Sequence, residues 1–253
     1  KVANMHRFVL AYSGGKDSEV LRKLCQLAKV DVDIVHNVTT IDPPGTIRYC
    51  EKRGAILNRS KYSFFELVAK KGLPNQWRRF CCQYLKEQYL GKYVFMGVRQ
   101  AESYKRAERY SNIASCRIYS KKQVSDCHYP IHNWDDEDLY TFVYEENIKL
   151  HPLYYNERGQ FCVDRRLGCI GCPLQGDRGK ADYLQYPKFL KLLCKSYNKY
   201  GTSHKFIEGC YQDIVWQLFY SNHGEQKYAQ TFHGLFDAPD PKKMLEDYFH
   251  IQL

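Results

Sequence analysis

The hexapeptide Ser-Gly-Gly-Lys-Asp-Ser at residues 13–18 constrains the fold of this chain more than any other feature. It follows an apolar run at residues 8–12 and precedes apolar residues at helical spacing, so it predicts a turn between a strand and a helix. Backbone N–H groups at such a turn point at one spot, where the helix dipole favours an anion. The two glycines allow close approach to an oxyanion, and the lysine and serines supply charge and donors. The sequence therefore predicts a phosphate-binding turn, with an ordinary glycine turn as the alternative.

Strand and helix patterns alternate in the first part of the chain. Strand patterns occupy residues 8–12, 32–38 and 93–98, and helix patterns occupy residues 19–28, 46–53 and 64–69, with Thr46 as the expected cap of the second helix. This alternation predicts an α/β fold, a mostly parallel sheet with helices on both faces. Ligands of such sheets lie at the carboxyl ends of the strands. We therefore expect the polar segments at Ser13, Thr39 and Arg99, where three strands end, to converge on one rim.

Eleven cysteines and a net charge of +10 bear on the compartment and the partners. No apolar run reaches about 18 residues and no charged-then-apolar signal opens the sequence, so we expect a cytoplasmic protein with no membrane partner. In a reducing compartment, many cysteines favour metal binding or catalysis over disulfides. The charge and the 22 tyrosines suit DNA or tRNA, and they suit a polyphosphate nucleotide equally well.

Two cysteine pairs have the spacing of a metal centre. Cys81 and Cys82 are adjacent, and Cys169 and Cys172 lie in Cys-Ile-Gly-Cys, a spacing at which two thiolates reach one metal. Adjacent side chains splay by about 100° in a helical turn, which suits two irons of a cubane better than one zinc. The four cysteines therefore predict a [4Fe–4S] cluster, with zinc, a redox dithiol or plain buried thiols as alternatives. Cys162 is an alternative to one cysteine of the tandem pair.

The hexapeptide resembles the signature loop of the PP-loop ATP pyrophosphatases, which bind an adenine nucleotide there, and it lacks the spacing of the commoner nucleotide loops. Further segments that resemble one family occur in the family's order. They are the tandem cysteines with Lys86, the Gly-Val-Arg segment at residues 97–106, and the segments at residues 134–142 and 151–154 before the second cysteine pair. Over residues 7–175 the chain resembles the phosphoadenosine-phosphosulfate reductase family. Its iron–sulfur branch includes adenylylsulfate reductases and DNA phosphorothioation sulfurtransferases.

The resemblance implies a nucleotide site, with ATP or a sulfonucleotide bound beside the iron–sulfur cluster. The implied nucleotide-binding residues are Ser13, Gly14, Gly15, Lys16, Asp17, Ser18, Thr39, Thr40, Asp42, Gly97, Arg99, Glu102, Ser103 and Arg106. Lys16 and the turn's N–H groups would hold the phosphates, and the two arginines would neutralise the far end. Lys16, Asp17 and Arg99 are the expected catalytic residues. Asp17 either orients the turn or binds Mg²⁺, for which Asp42 and Glu102 are the other candidates.

The expected reaction depends on whether the chain has the nucleophilic C-terminal cysteine of the reductases. Reductases of the family carry a nucleophilic cysteine in a C-terminal Glu-Cys-Gly segment, whereas the last cysteine here is Cys210 in Glu-Gly-Cys-Tyr. We therefore expect a nucleotide-activated sulfurtransferase or a nucleic-acid-modifying enzyme. A sulfonucleotide reductase that forms sulfite is the alternative, and a non-catalytic nucleotide-binding regulator is the second alternative. The expected domains are a PP-loop nucleotide-binding domain at residues 1–130, a cluster-binding segment packed on it at residues 131–180, and a helical C-terminal cap at residues 181–253.

Overall fold

The computed structural model describes residues 7–109, 112–162, 165–221, 224–234 and 237–253, apart from the side chains of residues 105, 106 and 109. Within these limits the chain forms two compact units. The first unit contains the residues up to 38 together with residues 43–60 and 86–168. The second unit contains residues 39–42, 61–85 and 169–253. Each unit is therefore assembled from three separate stretches of the chain.

The first unit is built on a six-stranded sheet. Its strands are β1 (Phe8–Ala11), β2 (Val32–Val38), β3 (Ile56–Arg59), β4 (Tyr93–Met96), β5 (Ala114–Ser120) and β6 (Gln123–His128). Their order is β3-β2-β1-β4-β6-β5, and every pair is parallel except β5 with β6, which form an antiparallel hairpin at one edge. With helices numbered in chain order, this unit contains α1 (Lys16–Leu27), α2 (Thr46–Lys52), α4 (Tyr104–Arg109) and α5 (Asp136–Glu145).

Strand β1 lies at the centre of the parallel part of the sheet. Its register pairs Phe8 with Val32 of β2 on one side and with Tyr93 of β4 on the other. Successive side chains of a strand point to opposite faces, and Leu10 and Ala11 accordingly join different apolar clusters. A strand that is buried on both faces reads as a continuous apolar run in the sequence. Because β1 and β4 are parallel neighbours, the segments that follow them start side by side.

The second unit is helical. It contains α3 (Phe64–Lys71), α6 (Asp177–Gln185), α7 (Pro187–Gly201), α8 (Cys210–Val215), α9 (Glu225–Phe232), α10 (Pro241–Phe249) and two π-helical turns, Cys82–Lys86 and Trp216–Tyr220. Helix α3 begins with a capping box, in which Ser63 and Glu66 each accept the other's backbone N–H. Its buried Leu67 and Val68 share one apolar core with residues of the C-terminal helices. Among the described residues, no helix is long and apolar enough to cross a bilayer.

The predicted α/β class, with a mostly parallel sheet and C-terminal helices, is confirmed. The expected cap of α2 is wrong, because Gly45 occupies that position with φ of 91° and no side chain caps the helix. Thr46 is instead the first helical residue. It is buried, and its hydroxyl lies 3.5 Å from Nε2 of His151. The sequence patterns also missed β3 and the β5–β6 hairpin.

Candidate nucleotide site and thiol centre

The turn between β1 and α1 has the geometry of an anion cradle. Gly14 has φ of 76°, in the region that favours glycine, and a Cβ there would lie 3.2 Å from Sγ of Cys50. Gly15 precedes α1 in an extended conformation, and no side chain caps the helix. The first N–H groups of a helix have no intrahelical acceptor, so those of Asp17 and Ser18 are placed to bind an oxyanion.

The two serines hydrogen-bond within the turn. The hydroxyls of Ser13 and Ser18 lie 3.2 Å apart, and the Ser18 hydroxyl also donates to the C=O of Gly15 at 2.9 Å. The Gly15 N–H in turn donates to the Ser13 hydroxyl at 3.2 Å. The sequence assigns both hydroxyls to phosphate binding, and the structure gives them a role in fixing the shape of the turn.

A buried carboxylate anchors the first turn of α1 on its inner side. Glu19 is almost inaccessible to solvent, and its Oε1 accepts from Nη2 of Arg22 at 2.7 Å and from Nε of Arg53 at 3.2 Å. Its other oxygen accepts the hydroxyl of Tyr12, the residue that follows β1. A buried carboxylate with three donors is well satisfied, so this network ties the end of β1 to the start of α1.

Lys16 brings a largely buried ammonium group to the turn. Its side chain is 10% exposed, and Nζ lies 3.3 Å from Oδ1 of Asp17 and 3.8 Å from Oδ1 of Asp136. Burial lowers the pKa of Lys16, and the neighbouring carboxylates oppose that shift. A positive charge therefore stands beside the N-terminus of α1, where a phosphate-binding lysine is expected.

Arg99 links the turn to the start of α5. Its Nε donates to Oδ1 of Asp17 at 2.6 Å, its Nη2 donates to Oδ1 of Asp136 at 2.8 Å, and its Nη1 donates to the C=O of Trp134 at 3.3 Å. The Arg99 side chain is 1% exposed, whereas that of Asp136 is 63% exposed. The hydrogen bond from Arg99 holds the pKa of Asp136 below its ordinary value. We call the set of Arg99, Asp17 and Asp136 the arginine clamp.

Gly97 packs the end of β4 directly against the first turn of α1. A Cβ at this position would lie 2.9 Å from both C and O of Asp17 and 3.2 Å from N of Ser18. These are backbone atoms of a helix start, which cannot move aside as a flexible side chain would. Gly97 therefore acts on the turn by close packing, whatever contact it makes with a nucleotide.

The remaining residues expected after β4 lie on a short connection. A 3₁₀ turn covers Gln100–Glu102, and the Gln100 N–H donates to the C=O of His132 at 3.0 Å. Ser103 follows this turn and directly precedes α4. The side chain of Arg106 lies outside the described residues. Since β4 is the neighbour of β1, Glu102 and Ser103 belong to the segment that follows the strand next to the turn.

The polar segment after β2 belongs to the second unit. The Thr39 N–H donates to Oδ2 of Asp42 at 2.8 Å, which closes the segment on itself. Thr40 adopts φ of 64°, and its hydroxyl accepts from the N–H of Phe64 at 2.8 Å. The Cys169 thiol lies 3.6 Å from the Thr39 hydroxyl. Two residues expected to bind the nucleotide thus make other contacts, Thr40 with α3 and Thr39 with the second cysteine pair.

The four cysteines predicted to bind the cluster share one neighbourhood in the second unit. Cys81 hydrogen-bonds with Cys82 and interacts electrostatically with Cys82, Cys169 and Cys172. The hydrogen bond with Cys82, burial and these neighbouring thiols all raise the pKa of Cys81 well above its ordinary value. Nη2 of Arg79 lies 3.6 Å from Sγ of Cys82. Four thiols with a cationic neighbour supply the donor type and number that an iron–sulfur cluster requires.

Two glycines shape the loop of the second cysteine pair. Gly171 has φ of 67°, and a Cβ there would overlap the ring of Tyr183. Its N–H donates to Oδ2 of Asp182 at 3.0 Å. The C=O of Cys172 lies against Gly179 so closely that a Cβ would overlap it. The conformation that brings both thiols of this loop inward therefore depends on glycine at two positions.

The first cysteine pair lies at the start of a helical turn that continues as the π-helical turn Cys82–Lys86. Among the described residues, no three His, Cys, Asp or Glu side chains have the spacing of a preformed metal site. Cys162 lies in the first unit, where its thiol donates to the C=O of Gln160 at 3.6 Å.

Sequence reasoning gave no role to two residues that hold the turn. The buried Tyr154 hydroxyl accepts the Lys16 N–H at 3.0 Å and the Leu167 N–H at 3.4 Å. Asp136 is the second residue of an acidic run at 135–138 that reads as a helix start, and Asp135 caps α5 with Asp138 in a capping box. The cap needs only two of the run's four acidic residues. The two acidic residues that the cap does not need were therefore the sequence signal for a further role of Asp136.

A parallel sheet with a glycine turn, an uncapped helix and a buried lysine are features of phosphate-binding α/β proteins. The model of one family, the phosphoadenosine phosphosulfate reductase domain, matches residues 7–175. The chain belongs to this family, and the matched span includes the turn, the arginine clamp and both cysteine pairs. No curated protein matches the chain. At family level the membership supports a nucleotide-binding enzyme of sulfur metabolism.

Proposed function

We propose that this chain is an adenine-nucleotide-dependent enzyme that carries a [4Fe–4S] cluster on Cys81, Cys82, Cys169 and Cys172. In this proposal it acts as a sulfurtransferase or as a nucleic-acid-modifying enzyme. The observation that carries the proposal is the turn before α1, which combines two glycines, an uncapped helix N-terminus and a buried lysine. Membership of the family adds the link to sulfur metabolism.

The turn suits adenylation of an acceptor by ATP. In that reaction an acceptor oxygen attacks the α-phosphorus, the bond between the α-phosphorus and the bridging oxygen breaks, and pyrophosphate leaves with the electron pair. The N–H groups of Asp17 and Ser18 and the ammonium of Lys16 would stabilise the negative charge on the phosphates. Arg99 would hold the Asp17 carboxylate in place, and Asp17 would bind the Mg²⁺ that accompanies ATP.

The thiol group fits the cluster in both donor type and number. Held by all four cysteines, the cluster would polarise the reacting group, whereas three cysteine ligands would leave one iron open to sulfur. The Thr39 hydroxyl and the Arg79 guanidinium, each 3.6 Å from a cysteine sulfur, are the polar neighbours that would stabilise thiolates there. The net charge of +10 supports a polyanionic acceptor such as DNA or tRNA.

A reductase of the known type needs a nucleophilic thiolate outside the cluster. Cys210 is a poor candidate, because its half-buried thiol donates to the C=O of Cys194 at 3.7 Å. Burial, together with the nearby Asp213, raises the pKa of Cys210 to about 11. At neutral pH this group is a thiol, and the thiol is the unreactive form. The environment of Cys210 thus supports transfer chemistry over reduction through this residue.

The cluster is tested by anaerobic reconstitution with iron and sulfide, followed by metal analysis. We expect about four irons per wild-type chain, which is the content of one cubane cluster. The double variant C169A/C172A should lose the iron, whereas C116A, which removes an exposed cysteine of the first unit, should keep it. Stoichiometric zinc, or iron that survives C169A/C172A, would overturn the assignment.

The reaction is tested on the reconstituted protein with ATP and, in the presence of a dithiol reductant, with adenylylsulfate. We expect pyrophosphate from ATP, stimulated by nucleic acid, and AMP when an added sulfide donor or water then displaces it from the adenylylated acceptor. K16M should lose both products. The matched control is K23M, which removes a lysine of the same helix that pairs with Glu146 at 3.2 Å. Sulfite from adenylylsulfate without AMP from ATP would make the chain a reductase. Tight nucleotide binding with neither product would make it a regulator.

A further inference from the structure

Trp77 stands out from the surface of the second unit. Its side chain is 92% exposed, and all residues of the run 75–79 are exposed. Trp is usually well buried, because it is the largest apolar side chain. A Trp that is almost fully exposed on an ordered loop therefore indicates an interaction site. Trp134 and Trp216 are both partly buried, which makes Trp77 the most exposed of the three tryptophans.

The loop holds Trp77 in this position. The Asn75 side chain accepts the backbone N–H groups of Trp77 at 2.9 Å and Arg78 at 2.7 Å. The guanidinium of Arg78 donates to the C=O of Lys71 at the end of α3. Phe80, three residues after the Trp, is buried in the core of the unit. The turn is therefore fixed on both sides, and the indole projects outward from it.

The stretch of chain that carries Trp77 is strongly basic. Between residues 61 and 85 the chain has five cationic side chains and one carboxylate, which gives a net charge of +4. Two of the cations, Arg78 and Arg79, directly follow Trp77, and Lys70 is exposed near the end of α3. Arg79 also reaches Sγ of Cys82 at 3.6 Å, so the basic surface is continuous with the first cysteine pair.

We propose that Trp77, Arg78, Arg79 and Lys70 form a binding surface for single-stranded nucleic acid. An exposed indole stacks on an unpaired base, and flanking cations contact the phosphates on either side of it. A duplex keeps its bases stacked on one another and offers no free face to the indole. Because Arg79 contacts Cys82, a strand bound here reaches the thiol centre. The proposal rests on the proposed function in one respect, since it names single-stranded nucleic acid as the acceptor.

Intrinsic Trp fluorescence provides the test, because stacking on a base quenches an exposed indole. The protein is titrated with a single-stranded oligothymidine, with an oligouridine and with a DNA duplex. We expect saturable quenching by the single strands, weaker binding of the duplex, and affinity that falls steeply with salt. By fluorescence anisotropy of a labelled oligothymidine, W77A should bind about 5- to 150-fold more weakly, which is the range for loss of one stacked base. R78A/R79A should flatten the salt dependence of the affinity.

The chain provides a matched control in Tyr144, an aromatic side chain that is 86% exposed but is followed by Glu145 and Glu146. Y144A should bind the oligonucleotide as the wild type does. Equal affinities of W77A and wild type, or equal affinity for duplex and single strand, would overturn the proposal. So would a concentration-dependent dimer that W77A abolishes, or binding to anionic vesicles in preference to oligonucleotide.

The two proposals fail in different ways. Oligonucleotide binding is measured at equilibrium without ATP or turnover, so it does not depend on the reaction. Loss of AMP formation with intact oligonucleotide binding would count against the proposed function alone. Intact AMP formation from ATP with no oligonucleotide binding would count against the Trp77 surface alone.

Discussion

Replacing Arg99 with methionine tests the arginine clamp, and the structure sets the size of the effect. Arg99 is 1% exposed and pairs with Asp17 at 2.6 Å and Asp136 at 2.8 Å. Removing one partner of a buried ion pair costs about 3–5 kcal/mol. The loss here is smaller, because Asp136 is 63% exposed and Lys16 remains 3.3 Å from Asp17. We therefore expect R99M to lower the free energy of unfolding by about 2 kcal/mol, between the values for buried and exposed pairs.

R99M should also weaken nucleotide binding. With the guanidinium removed, Asp17 pairs with Lys16 alone, and the carboxylate competes with phosphate for the ammonium. A loss of about tenfold in ATP affinity corresponds to about 1.4 kcal/mol, a moderate charge-pair energy in a partly buried site. Titration calorimetry measures the affinity, and urea unfolding measures the stability.

A surface arginine with two carboxylate partners provides the control. Arg7 pairs with Asp31 at 2.8 Å and Asp33 at 3.0 Å on the exposed start of the sheet, so R7M should leave both measurements unchanged. D136N combined with R99M should cost less than the sum of the single changes, because the two side chains share one interaction. The arginine clamp would be refuted if the free-energy changes of R99M and D136N were fully additive, or if R99M had the same urea unfolding midpoint as the wild type.

Three further changes have expected outcomes. Gly97→Ala should displace the first turn of α1 and weaken ATP binding in calorimetry at least as much as R99M, since its Cβ would lie 2.9 Å from C and O of Asp17. Tyr154→Phe removes the acceptor of the buried Lys16 N–H and of the partly buried Leu167 N–H, and it should cost about 1–3 kcal/mol in urea unfolding. Burial lowers the pKa of His151 from 6.5 to about 4. The free energy of unfolding is therefore unaffected by this group above pH 6.5 and falls by about 3 kcal/mol as the pH drops to 4, because the imidazole is protonated more readily in the unfolded chain. His151→Gln should flatten this part of the pH profile of stability.

The sequence predicted the turn because its signals are local. A strand end, two glycines and a helix start are consecutive, and each has a conformational meaning that needs no distant residue. The same holds for strand β2, whose predicted and observed bounds both run from Val32 to Val38. The β5–β6 hairpin was not predicted because β5 is an edge strand with mostly polar, exposed residues. The tight connection between the two strands also lacks an Asn-Gly or Asp-Gly signal.

The partners of Arg99 could not be predicted because they are distant in sequence. Asp17 and Asp136 lie 82 and 37 positions away from Arg99, and only the packing of α1 and α5 in the fold brings them together. The segment from Thr39 to Asp42 illustrates the same limit. Its sequence shows a polar stretch after a strand, and nothing in it shows that the Thr39 hydroxyl lies beside the Cys169 thiol.

Charge is arranged differently at the two proposed binding surfaces. At the turn, Lys16 and Arg99 contribute two positive charges, and Asp17 and Asp136 contribute two negative charges, so the formal sum is zero. Since these four charges cancel, attraction for a nucleotide there depends on directional N–H groups, on the Mg²⁺ that the nucleotide carries and on Arg166, whose charge also acts on Asp136. In the stretch of chain that carries Trp77, residues 61–85, the net charge is +4, and the proposed attraction for phosphates is direct and sensitive to salt. In the proposed function, the overall charge of +10 therefore serves the polyanionic acceptor, and the turn binds its nucleotide through geometry.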